Sequence, residues 1–478
     1  MNRRQLLAAM GAAGGAGLLG LGAYSVFVDP DDSTRDRPTP TDAERTTDRP
    51  DTPTPTTDEP ERIGGFERRI DAVAAGADPT GEEPVTPLIE DWADDDTLVA
   101  FEPGTYALDP TAFSGLRRVG LVGTGPDPAR FVPTAGDCLG GHPWVAAENV
   151  RDLHLENVAF DLTGADSGGP IHLHLTGDST LRDVDVLGSC ANQLSAMRIE
   201  VLDAEGTATL EGLTARNADG NRTLTGLFVG EDHAGTLRVQ DCSIAEFSDN
   251  GLYASAPGGP EGADGTVEVL GGTYRNNNVA GVRLGSTDAR ATGVSIVVDD
   301  EPPGWGQLNA RGIRLRNKSG QVIEDCSIAF GTDAAASFGG VVVHHDNGAA
   351  TVRESSITID RDAVPAIHAL SPATGDGAVT VDDVTIEGGA VGGVGVQIQG
   401  RDGSRIRASR IEQSGAERDG IYVSDATDCT IEDTEIAVEG VPLVVENGRV
   451  TVRNCRLVTP RGERDVDSET VTDGTLRV

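Results

Sequence analysis

LENVAF (155–160), LRDVDV (181–186), LEGLTA (210–215) and VQDCSI (239–244) are four copies of one six-residue phrase. VLGGTY (269–274), ATGVSI (291–296), IEDCSI (323–328), VRESSI (352–357), VDDVTI (381–386), IRASRI (406–411), IEDTEI (431–436) and VRNCRL (452–457) bring the series to twelve. The template is apolar, any, turn residue, apolar or small, any, apolar. Successive copies lie about 27 residues apart, a period in the range that marks stacked repeats. With short strands and nothing helical between the copies, it predicts a solenoid.

A second phrase keeps the same beat. It reads PIHLH (170–174), AMRIE (196–200), GLFVG (226–230), GLYAS (251–255), GVRLG (281–285), GIRLR (312–316), GVVVH (340–344), AIHAL (366–370), GVQIQ (395–399), GIYVS (420–424) and PLVVE (442–446). Each copy falls between two copies of the first phrase. One repeat is therefore a coil of three short strands: two from the first phrase, bent at its turn residue, and one from the second. Side chains alternate across a strand, so positions two and four of the second phrase face inward, and these are Ile, Val, Leu, Met or Ala throughout. One coil cannot bury its own apolar face, whereas stacked coils pairing in parallel at about 4.8 Å can. Parallel crossovers are right-handed. The fold class is all-β, a right-handed parallel β-helix (solenoid) of about 12 coils. A β-sandwich also has many short strands, but it does not hold two phrases in register over so many periods.

The flanks differ in composition. In MNRRQLLAAMGAAGGAGLLGLGAYSVFV (1–28), Arg3 and Arg4 precede 23 uncharged residues, as in a twin-arginine export signal. A retained membrane anchor through residues 6–28 is the alternative, since the stretch is long enough to span. Residues 29–61 are Pro, Thr, Asp and Arg with little that is apolar, the composition of a disordered stalk. An N-terminal cap with the first coils is expected over 62–145, the repeats over 146–458, and a C-terminal tail or cap over 459–478.

Seventy-seven acidic residues stand against 38 basic ones, giving a formal charge of −39, and Lys318 is the one lysine. That balance excludes a nucleic-acid partner. It fits an extracellular protein made soluble at very high salt, where carboxylate repulsion is screened. Six cysteines in an exported chain would ordinarily mean disulfides. The repeat argues otherwise for four of them. Cys242, Cys326 and Cys455 share one inward column, and Cys242 and Cys326 are three coils apart, roughly 14 Å on the strand spacing and too far to bridge. With Cys429, in a neighbouring column, they are expected to be small buried hydrophobes. Cys138 and Cys190 fall in irregular segments, either free or paired.

Residues 66–135 carry a resemblance. FERRIDAVAAGADPTGEEPVTPLIEDW (66–92) is followed by TLVAFEPGTYAL (97–108) and LRRVGLVGTGPDPARFVP (116–133). This resembles the N-terminal cap of the pectate-lyase-like superfamily, in a secreted form of haloarchaeal type. There a strand leads into a Gly-Ala-x-Asp-x-Thr turn, a capping helix, a P-P-G-T-Y strand and an I-x-G-x-G turn. The matching pieces are Gly76-Ala77-Asp78-Pro79-Thr80, a short helix near 84–93, Glu102-Pro103-Gly104-Thr105-Tyr106 and Val122-Gly123-Thr124-Gly125. The first turn departs from the family pattern, with Ala-Asp-Pro-Thr-Gly where Gly-Asp-Gly is usual. The superfamily holds polysaccharide lyases, galacturonan hydrolases, epimerases, phage tailspikes and non-catalytic surface proteins, so the fold does not assign the chemistry. Asn-Thr-Asp, Gly-His-Gly and Arg-Ile-Lys, the hydrolase signatures, do not occur in the chain. The lyases of the superfamily use an Arg or Lys base and usually calcium held by acids, which makes calcium the candidate cofactor.

The outward positions of the second phrase form two columns. Position three gives His172, Arg198, Phe228, Tyr253, Arg283, Arg314, Val342, His368, Gln397, Tyr422 and Val444. Position five includes His174, Glu200, Ser255, Arg316, His344 and Gln399. In so acidic a chain, cations clustered on one sheet call for a polyanionic ligand, and Arg grips carboxylates in bidentate fashion. The predicted partner is an acidic, uronic-acid polysaccharide. Arg314, Arg316, His344 and Lys318 are the candidate catalytic residues. For β-elimination one of the arginines would neutralise the carboxylate and His344 or Lys318 would take the proton. Tyr253, Arg283, Trp305, His345, His368, Gln397 and Tyr422 are the candidate sugar contacts, with Trp305 on the insertion 299–310. Asp346 would orient His345 or hold a metal. A second group, His172, His174, Arg198, Glu200, Glu231, Asp232 and His233, offers carboxylates and imidazoles of the kind hydrolysis or metal binding needs. The alternatives to a lyase-like protein are a non-catalytic surface or adhesion rod and a carbohydrate epimerase or glycoside hydrolase.

Overall fold

The third residue of every copy of the first phrase has a left-handed backbone. Asn157, Asp183, Gly212, Asp241, Gly271, Gly293, Asp325, Glu354, Asp383, Ala408, Asp433 and Asn454 all have φ between 48 and 69°. This is the region that Gly, Asn and Asp enter most readily. Here the chain bends from one strand to the next, which is why the template demands a turn residue. The computed structural model describes residues 65–134, 142–163, 169–188, 194–217, 225–302, 308–374 and 377–478. The expected signal and stalk, Trp305, Cys138 and Cys190 lie outside them.

Phe66–Val478 forms a unit of its own, a right-handed parallel β-helix of about 12 coils. A typical coil runs Thr236–Gln240, Ser243–Ala245, Asn250–Ala254. Each of these pairs in parallel with its counterpart one coil on, Thr266–Leu270, Thr273–Arg275 and Ala280–Leu284. Repetition makes three sheets. The first and second carry the two halves of the first phrase, and the third carries the second phrase.

The phrase positions stack as columns. Leu210, Val239, Val269, Ala291, Ile323, Val352, Val381, Ile406, Ile431 and Val452 form one buried inward file. Each such aliphatic side chain removed from water contributes about 1.5–3 kcal/mol. The cysteines behave as the periodicity predicts: Cys242, Cys326, Cys429 and Cys455 are free and buried. Burial pushes the Cys242 thiol up to about 12 and that of Cys326 to about 11, which leaves them without nucleophilic character.

Both ends of the stack are closed. At the start, Asp78 accepts from the Thr80 amide and hydroxyl through one oxygen (2.9 and 2.7 Å) and from the Glu82 and Glu83 amides through the other (2.9 and 3.0 Å). These bonds hold its pKa down at about 2. The turn so fixed delivers helix α1 (Thr86–Trp92), which buries Ile89 and Trp92. Pro87 sits in the first turn, where its missing N–H costs nothing. At the other end Gly462–Leu476 runs antiparallel to Leu443–Thr459 and covers the strand edge that a thirteenth coil would have paired.

Ala408 (φ 49°) is exposed and occupies a column otherwise held mostly by Asp, Asn and Gly. Alanine is strained there, so Ala408→Asn is expected to stabilise the protein by about 0.5–1 kcal/mol. Thermal denaturation of the two proteins checks this, and a lower midpoint for the variant would contradict it.

Candidate functional site

The strand register of the third sheet aligns position three of each coil. His172 lies beside Arg198, Arg198 beside Phe228, Phe228 beside Tyr253, Tyr253 beside Arg283 and Arg283 beside Arg314. Val342, His368, Gln397, Tyr422 and Val444 continue the file. These side chains leave the coil interior, yet the central ones do not reach bulk solvent. Tyr253 is 7 % exposed, Arg314 5 % and His368 8 %. Neighbours in the file cover one another, so the central stretch is largely withdrawn from solvent.

Its chemistry is cationic. The Arg283 guanidinium lies 4.0 Å from the centroid of the Tyr253 ring, against which Phe228 packs edge-on at 5.2 Å. Arg314 is on the next strand. The Nε atoms of Arg283 and Arg314 are buried and have no hydrogen-bond partner among the described residues. Burial, together with the neighbouring arginines, pushes both below the ordinary arginine range. Arg316 is differently placed. Its Nε donates to Asp346 Oδ2 at 2.7 Å and Oδ1 at 3.0 Å, and its Nη2 donates to the same carboxylate.

Asp346 also accepts from His344 Nδ1 at 2.9 Å. Although burial opposes ionisation, His344 and Arg316 hold this carboxyl far below the usual range. Burial drives His344 down to about 3, with Asp346 pulling the other way and Arg316 and Arg314 pushing further down. The ring is therefore neutral near pH 7. With Nδ1–H donating to the Asp346 carboxylate, Nε2 carries the ring's lone pair. This imidazole can accept a proton.

Three residues that the periodic phrases do not contain complete the surroundings. Asp249 immediately precedes a third-sheet strand and accepts from Asn250 Nδ2 at 2.8 Å. Burial pushes its carboxyl up to about 6, against the pull of Arg283, Arg314 and Arg311. Arg311 stacks over Phe338 at 4.8 Å and donates to the Val279 carbonyl at 3.5 Å. Phe338 in turn stacks on His368 at 6.1 Å, and His368 Nδ1 donates to the Phe338 carbonyl at 3.0 Å. His368 thus fixes the position of Phe338 against the third sheet. No sequence signal separates Asp249 from the many other aspartates at turns, because its partners come from later coils.

The remaining candidates spread out. His345 is exposed, with its ring 4.0 Å from that of His344. Lys318 points its ammonium at Asp264 (3.6 Å). Gln397 and Tyr422 lie further along the file, where the Tyr422 hydroxyl donates to Glu446 at 2.6 Å. Among the described residues His344, His345 and Asp346 are the group that brings three ligand atoms within 4.8 Å. They do not suit calcium, which takes six to eight oxygens. Two of the three donors are nitrogens, the carboxylate is already held by Arg316 and His344, and Arg283 and Arg314 stand nearby.

The second candidate group is a closed charge ladder. His174 Nδ1 is 2.9 Å from Glu148 Oε2 and its Nε2 is 2.8 Å from Glu200 Oε2. Arg198 reaches Glu200 through Nε and Nη2, both at 2.9 Å. Both nitrogens of His174 therefore face carboxylates rather than an open site beside His172. His233 accepts from the Val201 amide (3.1 Å) and reaches the Thr266 carbonyl (3.1 Å), a staple between coils. Gly230 is required here: a Cβ at that position would lie 1.9 Å from Glu200 Oε1.

This ladder makes stability depend on pH. Although burial opposes its charge, Glu148 and Glu200 raise His174 to about 9, so that contribution is complete below the ordinary histidine pKa and is lost as pH rises through about 9. His174 and Arg198 hold Glu200 down at about 2 against its burial, so its contribution is complete above the ordinary carboxylate pKa and is lost as pH falls through about 2. Glu200→Gln is expected to lower stability by about 3 kcal/mol near neutrality. It should also flatten both flanks of the profile of melting temperature against pH, and a profile unchanged by the substitution would contradict the ladder.

Among the described residues no helix is long and apolar enough to cross a membrane. The model of the right-handed β-helix region family matches residues 311–463. No curated protein matches the chain. Among solved structures, the chain is similar to PfbA, a surface adhesin of Streptococcus pneumoniae (12 % identity, 85 % of this chain and 98 % of that one, TM-score 0.47). It is also similar to the mannuronan C-5 epimerase A-module of Azotobacter vinelandii (15 % identity, 80 % and 97 %, TM-score 0.32). A third likeness is to the catalytic unit of an α-1,3-glucanase from Streptomyces thermodiastaticus (15 % identity, 82 % of this chain, TM-score 0.35), of which the chain spans 63 % of the length.

Proposed function

We propose that this protein is exported by the twin-arginine route and binds an acidic polysaccharide along its third sheet, with a uronate carboxylate on Arg283 and Arg314. The observation that carries this is the pair of buried Nε–H donors without partners, on guanidiniums one strand apart. Buried donors are almost always satisfied in a folded protein, and like charges about 5 Å apart repel. A bidentate carboxylate answers both demands. Tyr253 presents an aromatic ring beside the pair, and His345 and Arg316 line the accessible edge. With the carboxylate so bound, the proton next to it is acidified, and His344 Nε2 is the base that takes it, oriented by Asp346 through Nδ1. Lyase-like elimination is then the chemistry of the site: the electron pair left by the proton forms a ring C=C bond, the glycosidic C–O bond on the adjacent carbon breaks, and the departing sugar oxygen takes a proton from water.

A panel of uronans, followed for bound polysaccharide and for unsaturated uronide product, tests this. Product formation supports the lyase. Binding with neither unsaturated product nor new reducing ends reduces the protein to a glycan-binding rod. No binding to any uronan overturns the proposal.

A further inference from the structure

We propose that Arg401 is a positioning residue for His344: from two coils further along the solenoid it fixes the backbone of the turn 344–348, and with it the imidazole. The inference rests on His344 acting as the base, as read above, and adds what holds that base in place.

His344 stands where the chain leaves the ladder of the third sheet. The strand before it, Val341–Val343, is three residues long. The Val343 carbonyl still accepts from the Leu370 amide of the next coil at 2.9 Å, and the His344 amide still donates to the Leu315 carbonyl of the preceding coil at 3.1 Å. The His344 carbonyl has turned out of the ladder. It accepts from the Asn347 amide at 3.0 Å, which closes a turn, and from Arg401 Nη2 at 2.8 Å. One short turn therefore carries the imidazole, the Asp346 carboxylate that orients it and the exposed His345. Short turns of this kind open readily unless something outside them holds them.

Arg401 follows the strand Val394–Gln399 and is fully buried. Besides the His344 carbonyl it reaches those of Asn347 (Nη2, 3.3 Å) and Gly348 (Nη1, 2.9 Å), so it grips both ends of the turn. On the coil between, its Nε donates to the Leu370 carbonyl at 2.7 Å and its Nη1 to that of Gly377 at 2.6 Å. All these bonds come from one rigid, planar fork, which cannot swing towards one partner without breaking with another. The preceding coil ties the far end of the turn as well. Asn347 Nδ2 donates to the Lys318 carbonyl (2.8 Å) and to Gln321 Oε1 (2.7 Å), and the Gly348 amide donates to the Lys318 carbonyl (2.9 Å). Arg401 adds the end that bears the ring. With that backbone fixed, Nδ1 stays 2.9 Å from Asp346 Oδ1, and Asp346 is itself held by Arg316. The Nδ1 proton is thereby committed, and Nε2 keeps the lone pair. A base displaced by about 1 Å loses up to about a hundredfold in rate.

Arg418 supplies a matched control. It is equally buried and also bonds main-chain carbonyls, those of Val364 (2.7 Å) and Gly392 (2.9 Å), with its Nε on Gln413 Oε1 (2.7 Å). None of these belongs to the turn 344–348.

Ring-nitrogen NMR of the intact protein, labelled with heavy-nitrogen histidine and with His344 assigned from the spectrum of His344→Gln, reads the tautomer directly. Near pH 7 the wild type is expected to show Nδ1 protonated and Nε2 bare. Arg401→Lys, measured well below its unfolding midpoint, is expected to show both tautomers in exchange. On a uronan that yields product it should lose about tenfold to a hundredfold in kcat with KM nearly unchanged. Arg418→Lys is expected to match wild type in spectrum and in rate. A His344 spectrum or a kcat in Arg401→Lys identical to wild type overturns the proposal. So does an equal change in Arg418→Lys, which would make the effect one of general loosening. If Arg401→Lys does not fold, amide exchange in the wild type decides. Asn347 and Gly348 amides that exchange as slowly as those of strand 341–343 support the proposal, and far faster exchange overturns it. The ring spectrum needs no substrate. A wild type that forms no unsaturated product from any uronan sinks the lyase reading, and the spectrum still decides on the positioning. Product formation with an unmoved spectrum in Arg401→Lys does the reverse.

Discussion

Arg401→Met is expected to lower the free energy of unfolding by about 4 kcal/mol, a loss at the upper end of what single substitutions do. Arg401 is fully buried and bonds no carboxylate among the described residues. Its guanidinium donates instead to five main-chain carbonyls. Nε reaches Leu370 (2.7 Å), Nη1 reaches Gly377 (2.6 Å) and Gly348 (2.9 Å), and Nη2 reaches His344 (2.8 Å) and Asn347 (3.3 Å). These acceptors belong to turns that follow the third sheet on earlier coils. There the carbonyls have left the strand ladder, and all but that of His344, which also accepts from the Asn347 amide at 3.0 Å, take their donor from the guanidinium. Methionine keeps much of the volume and removes every donor, which leaves buried acceptors at about 1–3 kcal/mol each, partly offset because a desolvated charge has gone. That desolvation shows in the arginine itself, which burial brings down to about 10. Urea unfolding of the two proteins measures the difference. Arg401→Lys should fall between them, since an ammonium has three donors and cannot span the same carbonyls. A methionine variant as stable as wild type would show that water replaces the guanidinium. Because two of the five carbonyls belong to His344 and Asn347, the variant should also loosen the turn that carries His344 and Asp346.

Arg314→Met is expected to do the opposite to stability. It removes one of several like charges packed on neighbouring strands and leaves a side chain of similar length in a mostly buried position. A gain of about 1 kcal/mol is expected. Uronan binding should fall by about a hundredfold, the usual scale for losing a desolvated charge pair. The combination is diagnostic. A residue kept for the fold loses stability when replaced, whereas one kept for a ligand loses binding and often gains stability. Equal loss of both would place Arg314 with Arg401 as a structural arginine. Undiminished binding by the folded variant would remove Arg314 from the ligand site.

Much of the molecule was legible in one dimension because a solenoid's contacts are periodic. Position in the phrase specifies which file a residue joins, and parallel pairing at fixed register specifies its neighbours, so Tyr253, Arg283 and Arg314 could be lined up before any coordinates. The turn position was legible too, including the two residues, Glu354 and Ala408, that fill it against their own preference. What the repeat does not encode is anything aperiodic. Asp249, Arg311 and Phe338 lie between phrases, and their partners depend on how particular turns fold back over the third sheet. The same limit explains the second candidate group. Alternation placed His172 and His174 on one face, but Glu148, from an earlier coil, occupies one nitrogen of His174 and Glu200 the other.

The sequence by itself determined the solenoid, its bends, its buried cysteines and the order of side chains along the third sheet, since each follows from local alternation and a constant repeat. Only the tertiary structure decided which charges are balanced. Arg316 and Arg198 found carboxylates, Arg401 found carbonyls, and Arg283 and Arg314 were left with buried donors unmet. Pairing and burial depend on distances across coils and on the turns above them, and these are set by packing, which no single stretch of chain specifies.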